Sequence, residues 1–178
     1  MAMFVMLSRI SESVARFLAI AGGLLLLAVV VLTCVSIVGR ALFSAGLCCG
    51  PIRGIYDYTE IAVGTAIFAF LPWCHFRTAH AAVDLFKSAL PDVMNRFLNL
   101  IIDLGMLVLA SLIAHRLWLG MLDKQRYGET TLIAQVPVWI GYAACLVGAV
   151  GFVLVAAFCV LRSSRALAIG QEPAEGQI

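Results

Sequence analysis

The residues best suited to chemistry in this chain are few, and they lie within apolar surroundings. Asn95, Asn99 and Asp103 follow one another at a spacing of four, which sets all three on one face of a helix. A carboxyl group at mid-helix costs roughly 2.5–3.5 kcal/mol on membrane-insertion scales, so Asp103 is a functional candidate by default. Two chemistries suit it: an ion or proton site, or an interhelical hydrogen bond that turns the polar stripe toward protein rather than lipid. No second carboxylate stands ready inside an apolar run to complete a cation cage, which favours the hydrogen bond.

Three histidines, His75, His80 and His115, raise the alternative of a four-helix haem protein. His75 lies near the end of the second apolar run and His115 near the end of the third. Successive spans run in opposite directions, so the two fall in opposite leaflets about 25 Å apart, beyond the reach of one axial pair. A packing or interfacial role follows for each. Cys34, Cys74, Cys145 and Cys159 sit in or beside apolar runs, where cysteine behaves as a small hydrophobe. Cys48 and Cys49 are adjacent and poorly placed to bond each other, and there is no second pair of the kind a quinone-linked thiol oxidase needs. No CxxC, GxSxG, phosphate loop or HExxH occurs. The residues therefore point to no catalytic group, no cofactor and no metal.

The elements that position these residues come from the composition. With 63% hydrophobic and 12% charged residues, the chain carries about half the charge of an ordinary soluble domain. A bilayer solvates such a chain directly and requires only that the backbone pair internally. The expected class is an all-α membrane protein with four transmembrane helices and at least one interfacial amphipathic helix between the second and third. The spans are expected at about 14–38, 57–77, 94–119 and 137–161, inside a membrane domain of residues 1–165. The first holds twenty uncharged residues, Ala19 to Val38, enough to cross a hydrocarbon core of about 30 Å and too long for a cleaved leader, whereas the third is the least apolar. Residues 166–178, with Gly170, Pro173 and Gly176, read as a disordered tail.

Between the second and third spans, residues 79–90 place Ala82, Val83, Leu85 and Phe86 on one helical face and His80, Asp84, Lys87 and Ser88 on the other. Three turns are too short to span, so this helix lies in the interface until Pro91 breaks it. On the fourth span, Pro137, Trp139 and Tyr142 suit an interfacial belt. Ala144 and Gly148 give a small-xxx-small spacing for close helix approach, to a partner within the chain or outside it. Four spans put both termini on one side. That side and the second loop hold seven Lys or Arg against five at most on the other, which favours cytoplasmic termini. The net charge of +2 is spread thinly, which argues against nucleic acid as a partner.

The order of features is also familiar. GRALF at Gly39 to Phe43, LPWCHFRTAHAAVDLF at Leu71 to Phe86, Leu90-Pro91, and VPVWIGY at Val136 to Tyr142 resemble the small membrane subunit of tripartite ATP-independent periplasmic (TRAP) transporters, the DctQ type. The likeness covers about residues 10–162, and Arg40, Glu60, His80, Asp84, Pro137 and Trp139 are the positions that match. Members often carry Gly before the histidine and Ile or Val after it, where this chain has Ala79 and Ala81. The resemblance implies a non-catalytic scaffold in the bacterial inner membrane, bound to a large transport subunit and served by a periplasmic substrate-binding protein. It implies ion-coupled uptake, with sodium as the ion and an organic acid as cargo. Subunit contacts are expected at the six matching residues and at Asp103, and phospholipid is expected around the spans. A haem or quinone redox protein and a small self-sufficient channel are the alternatives.

Overall fold

A backbone surrounded by lipid has no water to bond, and the only local structure that satisfies every N–H and C=O within one segment is the helix. The computed structural model describes residues 2–44, 46, 52–77 and 92–169. It consists of four helices: α1 (Ala2–Ser44), α2 (Ile55–Phe76), α3 (Asp92–Tyr127) and α4 (Val138–Ile169). All four are long and apolar enough to cross a membrane. No strand occurs among the described residues, only an isolated antiparallel bridge between Thr130 and Pro137. The interfacial helix expected at 79–90, the Cys48 and Cys49 pair, and the tail beyond Ile169 lie outside the described residues.

Three of the helices run well past their apolar stretches. α1 has 43 residues, about 65 Å of helix, roughly twice a hydrocarbon core. α3 continues to Tyr127, and α4 continues past Arg165 to Ile169, into the segment expected as tail. Lipid selects the apolar run, but nothing in the polar flanks stops the helix; a local breaker is needed for that. α3 ends where Gly128 adopts a positive φ.

α4 is the hub, packing on α2 and α3 along their length and more sparsely on α1, while α1 packs chiefly on α2. α2 and α4 run parallel and close together because α4 offers glycine where α2 offers backbone. A Cβ at Gly148 would stand 2.7 Å from the Phe68 carbonyl carbon, and one at Gly141 would meet Ile61 at 3.3 Å. The small-residue face of α4 is therefore used within the chain. Gly22 of α1 fits against Ala66 and Ala69 of α2, and Gly120 of α3 lies under the Tyr142 ring. The core at one end of the bundle is Ala15, Val155 and Cys159, covered by Trp73 and Phe76. Phe76 stacks on Phe158 with ring centroids 6.3 Å apart. The outward faces of the two flanking helices stay bare, with Leu24, Leu27 and Val31 on α1 and Leu104, Val108 and Leu112 on α3 exposed.

Candidate functional site

Near this core, three helices bring their polar residues to one point. Asp103 of α3 is 7% exposed, and His75 of α2 and Ser163 of α4 are more deeply buried still. The Ser163 hydroxyl donates to Asp103 Oδ2. His75 Nε2 lies 3.6 Å from Asp103 Oδ1, and the imidazole meets the Phe152 ring edge-on at 5.7 Å. The helical period explains the convergence. Ser163 follows Val155 and Cys159 at a spacing of four, so it shares their buried face, and Asp103 projects from α3 toward the same side.

Carboxylate, hydroxyl and imidazole are the parts of a nucleophilic triad, but the order is wrong for one. In a triad the imidazole stands between the other two and takes the hydroxyl proton. Here the carboxylate stands between, and it accepts the serine proton directly. Serine bonded in that way fastens α4 to α3. What the arrangement does is hold helices. A carboxyl group removed from water must be paired, and Asp103 finds a donor on α4 and, when His75 is protonated, a counter-charge on α2. Arg162 adjoins Ser163, and Arg96 lies two turns before Asp103 on the same face of α3; their Nε atoms are buried without a hydrogen bond among the described residues.

The polar stripe is thus directed inward at Asp103, while Asn95 and Asn99 are half-buried. His115 is exposed on α3, about 18 Å of helical rise from Asp103. Of the other positions expected to make contacts, Arg40 near the end of α1 and Glu60 on α2 are exposed. Trp139 in the first turn of α4 is exposed as well, and Pro137 is half-buried in its bridge to Thr130. These do not converge on Asp103. His80 and Asp84 lie outside the described residues. His75 and Ser163 as partners of Asp103 were not anticipated. The signal for Ser163 was present in its spacing from Cys159, but it stands beyond Arg162, where the apolar run had already ended.

A second ordered feature lies at the opposite end. The α3–α4 connection folds back as a short hairpin, with Thr131 N–H bonded to Val136 O at 2.9 Å and Val138 N–H to Glu129 O at 3.0 Å. Asp57, in the first turn of α2, reaches across to it. One oxygen, Oδ2, accepts the Ile133 N–H at 3.1 Å and the Ala134 N–H at 2.8 Å. Gly54 makes this approach possible: its φ is +73°, and a Cβ there would stand 2.6 Å from the Ala134 methyl. Lys124 pairs with Glu129 beside the hairpin.

The described residues thus form four membrane-capable helices, three of them tied together by a buried polar clasp. Residues 29–167 match the family model described as tripartite ATP-independent periplasmic transporters, DctQ component. The chain belongs to the DctQ family. No curated protein and no solved structure matches it. As a DctQ chain it is a component of a TRAP transporter and a multi-pass membrane protein. The matched range takes in Asp57, Asp103 and Ser163, so both the clasp and the hairpin lie within the DctQ region.

Proposed function

We propose that this DctQ chain is the small, non-catalytic membrane subunit that scaffolds a large transport subunit for sodium-coupled uptake of an organic acid, delivered by a periplasmic binding protein. It lies in the bacterial inner membrane with both termini cytoplasmic, which sets the Asp103 clasp at the cytoplasmic end and the hairpin at the periplasmic end. The observation that carries this reading is the match to the DctQ family over residues 29–167. The physical arrangement supports it. The buried polar residues tie helices together, whereas a transporter of its own would place its polar groups along a cavity at mid-membrane. The bare outer faces of α1 and α3 supply the area a larger membrane partner needs, and Arg40, Glu60 and Trp139 are exposed for contact. His80 and Asp84 belong to the same proposed set of contacts.

Co-purification tests the proposal. A tagged chain extracted in mild detergent brings with it one larger multi-pass membrane protein at fixed stoichiometry. Recovery of the chain alone, from cells in which its deletion leaves organic-acid uptake intact, overturns the reading.

A further inference from the structure

The hairpin between α3 and α4 ends in two apolar residues that the described residues leave exposed: Leu132 is 97% exposed and Ile133 58%. They are displayed by a well-bonded frame. The N–H groups of Thr131, Ile133, Ala134 and Val136 are all taken, by Val136 O, by Asp57 Oδ2 twice, and by the Thr131 hydroxyl. Pairing these four donors within the chain lowers the cost of bringing the tip into a medium poor in water, where unpaired donors are costly.

Its depth follows from helix lengths. Asp57 holds the tip level with the first turn of α2, and from Asp57 to Phe76 the helix rises about 28 Å, nearly the full hydrocarbon thickness of about 30 Å. α1 gives an independent measure. It meets α2 where Gly22 touches Ala66 and Ala69. From that contact Asp57 lies about 14–18 Å away along α2, whereas Val38 lies about 24 Å away along α1 in the same direction. Val35, Ile37 and Val38 are exposed apolar residues, so the boundary of the hydrocarbon lies at or beyond the level of the tip. At this level too stand exposed Tyr56, Tyr58 and Trp139, the aromatic types enriched at the headgroup zone, with exposed Arg53 beside them.

We propose that the Leu132–Ile133 tip is seated in the lipid interface at this end of the bundle, a phospholipid-facing anchor whose depth is set by Asp57. The apolar pair enters the boundary between headgroups and acyl chains, as apolar side chains of interfacial segments do, and it fixes the tilt of α2 and α4 relative to the bilayer through the shared hairpin.

The test uses the full-length chain in nanodiscs of phosphatidylethanolamine and phosphatidylglycerol, carrying Leu132→Cys labelled with the fluorophore NBD. The native chain labelled in parallel serves as blank, and Ser44→Cys, which α1 carries about 15 Å beyond the level of Asp57, serves as the aqueous reference. The expected result is blue-shifted emission, quenched severalfold more strongly by lipid with a spin label near the headgroup than by aqueous iodide. Adding Asp57→Ala reverses that ratio while the helix content by circular dichroism stays unchanged. Quenching by iodide as at Ser44, without quenching by lipid, overturns the proposal in favour of a tip in water. Protection from both quenchers overturns it in favour of a tip covered by protein. Ile133→Cys repeats the reading independently of Leu132.

Discussion

Replacing Ser163 by alanine removes the hydroxyl donor that α4 gives to Asp103 and leaves the carboxyl group buried beside His75. Interhelical hydrogen bonds in membranes average about 0.6 kcal/mol and reach about 1.7. Ser163→Ala is therefore expected to shift the unfolding equilibrium roughly three- to twentyfold. Asp103→Ala does more harm, because it strands the buried Ser163 hydroxyl and leaves the His75 imidazole without its carboxylate, at about 1–3 kcal/mol. Since the two residues share one bond, the double variant is expected to be less unstable than the sum of the singles, with a coupling of about 0.5 kcal/mol or more. The assay is reversible unfolding in mixed micelles, followed by circular dichroism. Additive effects, or a Ser163→Ala variant as stable as the native chain, would refute the clasp.

Gly148→Ala puts a methyl group against the Phe68 backbone and is expected to cost about 1–3 kcal/mol, as overpacking does. Gly105→Ala, at a position open on all sides, is expected to leave the melting temperature unchanged or raised; equal melting of the two variants would count against the α2–α4 register. Gly54→Ala meets both a positive φ and the Ala134 methyl; the conformational part alone is about 1–2 kcal/mol, read as a lower melting temperature that Gly46→Ala, similarly left-handed but uncrowded, reproduces only in part. Asp57→Ala frees the Ile133 and Ala134 amides, and hydrogen exchange across residues 128–137 is expected to accelerate while the α4 interior stays protected.

The four helices were legible because a bilayer reads only length and apolarity, and the runs behind all four satisfy both. Asp103 was legible as well, since a lone carboxyl group on a regular polar stripe stands out against such a background. Its partners were not. Ser163 looks like the start of a polar flank, and His75 like an interfacial residue, until the register of α2, α3 and α4 is known. That register is set by glycines meeting backbone across helices, which no local pattern encodes. Asp57 is a sharper case. In sequence it is one of two acidic residues before an apolar run, whereas in space it holds a hairpin that begins more than seventy positions later. The small-residue spacing of Ala144 and Gly148 gave the correct chemistry, close approach, and the structure supplied the partner, α2.

The chain is proposed to contribute a frame and no transport pathway of its own. Uptake into sodium-gradient proteoliposomes holding the large subunit and this chain, with the binding protein outside, tests it most directly. Organic-acid uptake is expected when all three components are present, with loss of uptake when this chain is omitted and no flux through liposomes holding this chain alone. Uptake that persists without the chain, or flux through the chain by itself, would contradict it.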